Sequence, residues 1–169
     1  MKGVELTNNK KQYISSDIER TIDVYGDMLF RICYIILKSR FDAEDAVQET
    51  FIKFFQKAPD FVSEEHKKAW LIKVATNKSR DISKTRKSHN FIDVETVAEQ
   101  SREEDYTYVT DALMSLPDKY KTVLYLHYVE GYKSAEIAKI IGKTDSAVKM
   151  RLKKGRELLK EKLEERHNG

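Results

Sequence analysis

The stretch EIAKIIGKTDSAVKMRLKKG, residues 136–155, decides how this chain folds. Ile137, Ala138 and Ile141 recur at helical spacing, Gly142 breaks the rhythm, and Val148, Leu152, Gly155 and Leu159 begin a second one. Ser134 is the expected cap of the first helix, Gly142 its left-handed close, and Thr144 the cap of the second. Two helices joined by so short a turn make a helix-turn-helix, whose second helix enters the major groove of DNA. The inner stripe includes Gly155, which permits close helix approach. Ser146, Lys149, Met150, Lys153 and Lys154 are left pointing outward. Six cations and one anion lie between Gly142 and Arg156. Such a surface neutralises phosphates and releases their counterions. Lys149 and Lys153 could also reach guanine acceptors, each good contact giving about 1–3 kcal/mol of discrimination. A merely solvated basic helix is the plainer reading; the cap, turn and inner stripe together argue against it.

Working outward, Tyr120, Val123, Leu124 and His127 mark the buried stripe of a preceding helix. Pro117 suits its first turn and Glu130-Gly131 its end. A further helix covers Asp111–Leu116. Residues 91–105, FIDVETVAEQSREED, are different: one cation, six anions and weak periodicity. They read as a flexible acidic linker, able to reach at most roughly 50 Å when extended. Residues 1–90 carry 17 cations and 13 anions, and residues 106–169 carry 13 and 9, so two basic blocks flank the bridge. The expected organisation is a frayed tail over 1–15, a helical domain over 16–90, the linker over 91–105 and a second helical domain over 106–169. With only six Gly and two Pro in 169 residues, the class is all-α rather than turn-rich β.

In the first domain Ile22, Tyr25, Leu29, Ile32, Cys33 and Ile36 form one face of a long helix. Asp42 is the expected cap of the next, on which Ala43, Val47, Phe51 and Phe54 share a face. Asp45, Gln48, Glu49 and Ile52 occupy another, and Ala58-Pro59 ends the helix. A third helix spans about Lys67–Thr85. Leu71, Val74, Lys78 and Ile82 line one of its sides, and Lys73, Asn77, Arg80 and Lys84 another. Residues 66–87 hold eight Lys and Arg against one acidic residue, beside Trp70 and the Phe61 loop. Cations track a nucleic-acid backbone while aromatic pockets receive unstacked bases. Trp70 alone reads more simply as core. Asn77 with Arg80 and Lys84 is the better nucleic-acid face.

Several classes are disfavoured. Cys33 is the only cysteine, so there is no internal disulfide or cysteine-based zinc cluster, and the four histidines are scattered. The carboxylates of DAEDAVQETFIKFF have no neighbouring His or Cys, and no glycine-rich phosphate loop occurs. Neither catalysis, a metal nor any other cofactor is expected. The mixed face of Asp45, Gln48, Glu49 and Ile52 suits docking on a basic partner helix. No apolar run approaches the roughly 20 residues that span a bilayer. A soluble, cytoplasmic protein without membrane insertion is the expectation. A conventional helix-turn-helix repressor or activator would explain residues 117–165 but leave DAEDAVQETF and the 66–87 block without purpose.

Three segments in order, DAEDAVQETFIKFF, AWLIKVATNKSRD and ALMSLPDKYKTVLYLHYVEGYKSAEIAKIIGKTDSAVKMRLKKGRELLKEKL, resemble the extracytoplasmic-function group of bacterial sigma factors. The likeness covers roughly residues 20–165. It implies an alternative sigma factor that is not itself an enzyme. Such a protein binds core RNA polymerase and promoter DNA and opens the −10 element without ATP. Asp42, Asp45, Gln48, Glu49 and Phe51, with Ile52 beside them, then fall in the segment that docks on the clamp helices of the largest polymerase subunit. Phe61, Lys73, Asn77, Arg80 and Lys84 fall where the family holds the −10 element. Lys133, Ser134, Thr144, Ser146, Lys149, Met150, Lys153 and Lys154 fall where it meets the −35 element. The acidic linker occupies the stretch that threads the RNA exit path. An inhibitory anti-sigma factor is a common partner in the family. One departure is Met150, which stands where relatives often carry a small polar residue and bears on the −35 sequence read.

Overall fold

The computed structural model describes residues 3–88 and 104–167. Seven helices account for its regular structure: α1 Gly3–Leu37, α2 Arg40–Lys57, α3 Glu64–Ser88, α4 Glu104–Ser115, α5 Asp118–Tyr128, α6 Ser134–Ile141 and α7 Asp145–His167. The all-α expectation holds. The first three helices pack on one another, as do the last four. Of the expected linker, residues 91–103 lie outside the described residues, while Glu104 and Asp105 already belong to α4. The first helix begins at Gly3, inside the polar segment expected to be a frayed tail.

Several ends differ from the sequence expectation. Ser39, not Asp42, caps α2: its hydroxyl accepts the Asp42 N–H at 3.2 Å. Asp42 instead sits in the first turn, where its charge meets the positive helix end. The Ser39 cap contributes about 1 kcal/mol. Pro59 forbids helical backbone at Ala58, which turns extended while its N–H closes the helix on Phe54 O at 3.1 Å. Pro117 lies one position before α5 rather than inside its first turn. Lys133 precedes α6, with Ser134 as the first helical residue, and the Glu136 carboxylate reaches back to accept the Lys133 N–H at 2.7 Å. Ile22, expected on the inner face of α1, is exposed; Leu29, Ile32, Cys33 and Ile36 are buried as expected.

The core runs without interruption through both halves. Leu29, Ile32, Leu71 and Ile72 from the first join Val123, Leu126, Ile137 and Val148 from the second. Helix α5 is the centre of the second half: Lys121 to Leu126 are all buried, so it is covered on every side. Its outer wall is α7. A Cβ on Gly155 would stand 3.1 Å from Leu124 Cδ1 and 3.4 Å from Tyr120 Cβ, so the close approach expected of this glycine is realised. The Tyr108 hydroxyl donates to the Leu163 carbonyl and ties α4 to the far end of α7.

Candidate nucleic-acid interface

The helix-turn-helix forms as its punctuation requires. Gly142 closes α6 at φ 65° and ψ 46°, the left-handed region that favours glycine. The Thr144 hydroxyl accepts the Ala147 N–H at 3.1 Å and starts α7. Val148 and Leu152 are buried, Gly155 faces α5, and Leu159 is half-buried. Ser146, Lys149, Met150, Lys153 and Lys154 are exposed, Met150 at 73%. Lys133 and Thr144 are also exposed, and Ser134 is half-buried. Asp145 forms an ion pair with Lys149 at 2.7 Å. Hydrogen bonds from Lys149 and then Ser134 hold the Asp145 carboxyl below its ordinary value.

The N-terminal half presents two adjoining faces. On α2, Asp45, Gln48, Glu49 and Ile52 are exposed, whereas Phe51 is half-buried against the core. Asp42 is drawn inward by Arg86, whose Nη1 lies 2.8 Å from its carboxylate. Asp42 is thus already paired and less available to a partner than Asp45 or Glu49. On α3, Lys73, Asn77 and Lys84 are exposed and Arg80 is half-buried, donating from Nη2 to Asn77 Oδ1 at 2.7 Å. The two helices enclose a groove of about 280 Å³ lined by Glu49, Ile52, Val74, Asn77 and Lys78 among others. Lys78 bridges it to Glu49 at 3.7 Å. The groove therefore brings together residues expected on the polymerase face and on the −10 face.

Phe61 is half-buried in an aromatic cluster: stacked on Phe54 at 6.1 Å and edge-on to Trp70 at 5.7 Å and His66 at 5.4 Å between ring centroids. Trp70 packs against the core, in keeping with its plainer reading. Beside the cluster lies an open cavity of about 410 Å³ lined by Asp17, Phe54 and residues 58–64 and 67. Val62 lines it while 89% exposed, an apolar side chain that packing does not explain. Sequence reasoning passed over Val62; an apolar residue inside a polar loop was the available signal. Behind the loop, Tyr25 of α1 donates to the Glu64 carboxylate at 2.9 Å. Desolvation, with that hydrogen bond, pushes the Tyr25 hydroxyl up to about 12.

Comparison with known proteins bears on each half. The Sigma-70 region 2 family model matches residues 21–89 and the Sigma-70, region 4 model matches residues 106–159. The RNA polymerase sigma factor SigV of Bacillus subtilis is 30% identical over 155 residues, 89% of this chain and 93% of that protein. The ECF RNA polymerase sigma factor SigW of the same organism is 29% identical over 161 residues, 84% of this chain and 86% of that one. In fold, the sigma factor RpoE of Bartonella quintana, solved with the anti-sigma factor NepR, superposes with a TM-score of 0.73 at 22% identity, covering 88% of this chain and 97% of that one. CnrH, solved with the cytosolic domain of CnrY, gives 0.67 at 22% identity and 89% coverage of both chains. With two sigma-70 domain models matched in order and relatives aligned over most of their length, the chain belongs to the sigma-70 family of RNA polymerase sigma factors, in its extracytoplasmic-function group.

Proposed function

We infer that the chain is an alternative sigma factor that binds core RNA polymerase, directs it to a specific set of promoters and opens the −10 element. The observation that carries this reading is the pairing of two differently built surfaces on one chain. The exposed acidic and apolar face of α2 suits a basic helical partner, and the capped, lysine-rich α7 suits a DNA groove. A repressor would need only the second.

In this reading Asp45, Gln48, Glu49 and Ile52 dock on polymerase, with Asp42 and Phe51 shaping the same face. Lys73, Asn77, Arg80 and Lys84 track the opened −10 strand, and the Phe61 cluster with Val62 receives an unstacked base. Unstacking costs a few kcal/mol per base, and stacking on protein returns about 1–3 kcal/mol, so opening proceeds without a nucleotide. Lys133, Ser134, Thr144, Ser146, Lys149, Met150, Lys153 and Lys154 meet the −35 element. Residues 16–90 and 106–169 act as tandem readers joined through 91–105. Linkage raises the effective concentration of the second once the first is placed. The polymerase performs the chemistry. The site of action is the cytoplasm; no helix among the described residues is long and apolar enough to cross a membrane. An anti-sigma factor is a further partner of this reading.

The double variant Asp45→Arg with Glu49→Arg tests the docking face. Both residues are exposed, so helicity by circular dichroism should be unchanged. Placing like charge against a basic partner should weaken binding to core polymerase at least about tenfold. Unchanged binding would remove the α2 face from the proposal.

A further inference from the structure

The outward side of α7 has a line of its own. Successive residues of an α-helix turn by about 100°, so Met150 lies about 160–200° round the helix from the buried Val148 and Leu152. It is therefore directly opposed to the seam that holds α7 to the domain. It is also 73% exposed, in the second turn of a helix whose start the Thr144 hydroxyl fixes. Ser146, one turn earlier, shares this outermost line and is exposed as well. The cations fall to either side of Met150, with Lys149 and Lys153 on one flank and Lys154 on the other. Two of the three are engaged along their own helix, Lys149 with Asp145 at 2.7 Å and Lys154 with Glu157 at 3.5 Å. The most outward side chain of a basic helix is thus an apolar one.

A recognition helix turns its outermost line to the floor of the major groove and its flanks to the phosphate walls. The flanking lysines suit the walls. The floor offers hydrogen-bond donors and acceptors and a single apolar group, the C5-methyl of thymine. Ser146 can answer either kind of polar edge; Met150 brings only an apolar stem and a weakly accepting thioether. Its unbranched, polarizable side chain adapts to an apolar partner that a stiffer one would miss. We propose that Met150 is a specificity-determining residue, reading a thymine of the −35 element by contact with its C5-methyl. The proposal rests on the sigma-factor reading for the identity of the element. The choice of thymine rests on where Met150 stands and what surrounds it. Burial of one methyl group is worth about fourfold in affinity. Lysines on phosphates strengthen every sequence alike, so they supply no such discrimination.

Deoxyuridine pairs as thymine does and lacks only the methyl, so it isolates this contact. Core polymerase carrying the full chain is bound to a promoter duplex taken from a mapped transcript start. Each thymine of the upstream element, on either strand, is replaced in turn by deoxyuridine. Replacement at one position, or at two neighbouring ones, should weaken the complex about fourfold. Met150→Ala, at an exposed position where the fold should be untouched, should weaken the unmodified complex by a similar factor. It should then bind the thymine and deoxyuridine forms of that position equally. Met150→Leu, which keeps an apolar side chain, should restore most of the difference, whereas Lys153→Ala should weaken both forms alike. If no replacement weakens the parent complex, or if Met150→Ala keeps the parent's sensitivity, the methyl contact is refuted. An upstream element of G·C pairs alone refutes it too. If the polymerase gains no promoter from the chain, the sigma-factor reading falls instead. Selection by the free chain from a randomised duplex pool, synthesised with thymine or with deoxyuridine, then decides the contact. A motif enriched only from the thymine pool, by the parent and not by Met150→Ala, supports it; identical selections refute it.

Discussion

Lys38 shows how much one backbone angle decides. It ends α1 at φ 58°, the only described non-glycine residue with positive φ. A side chain there costs about 1–2 kcal/mol, against somewhat less than 1 kcal/mol that glycine loses in unfolded-state entropy. Lys38 also adds repulsion to the buried Lys121. Lys38→Gly should therefore raise stability by about 0.5–1 kcal/mol, seen as a higher urea midpoint with unchanged slope. Gly142, in the same conformation, was legible in the sequence because glycine advertises the turn; Lys38 was not, because lysine does not. Lys121 was hidden for the opposite reason. A lysine in a basic block reads as surface, and only the fold reveals the α1 carbonyl and the Asp118 carboxylate that make its burial tolerable.

At the scale of elements, the helix-turn-helix was the most legible part. The Thr144 cap, the Gly142 turn, the inner stripe and the glycine approach are each encoded within about 25 residues, and each forms as read, whereas the cap position of α6 falls at Lys133 rather than at Ser134. The α2 boundary was less so, since Ser39 and Asp42 are both competent caps and local sequence does not rank them. At α6 the ranking misleads instead: serine is the better cap, yet the helix starts after Lys133, whose N–H is taken by the Glu136 carboxylate. The exposure of the α7 cations leads to a measurable consequence. Lys149→Ala with Lys153→Ala should lower −35-dependent transcription and reduce the slope of log affinity against log salt by about one for each phosphate left without its lysine. The Asp145 pair weakens neither expectation, because an exposed ion pair contributes about 0–1 kcal/mol and yields readily to a phosphate. Overpacking belongs to the same scale. Gly155→Ala would gain about 1 kcal/mol of helix propensity and forfeit it again against Leu124, 3.1 Å from the added carbon.

At the scale of the whole molecule, the sequence revealed two helical units but not that they share a core. Charge counts report how many ions each unit carries, not which face the other unit covers. The junction predicts a pH dependence. Burial pushes the Asp118 carboxyl up, but the Ser83 hydrogen bond with Lys121 and Lys87 outweighs it, leaving the group below its ordinary 3.8. The unfolded chain therefore takes up the proton first as pH falls. The contribution of Asp118 is complete above about pH 5 and is lost as pH drops through the depressed value. At pH 7, Asp118→Asn should cost about 3 kcal/mol, the low end for breaking a buried pair, since Asp118 keeps 23% exposure. By pH 3 the gap in melting temperature to the parent chain should have narrowed. The central claim, that this chain directs polymerase to promoters, is tested most directly by transcribing the genome that encodes it with bacterial core polymerase, with and without the purified chain. The expected result is a set of new transcript starts sharing two upstream elements, with no tight binding of duplex by the chain alone. An unchanged set of starts, together with firm binding of double-stranded DNA in the absence of polymerase, would contradict it.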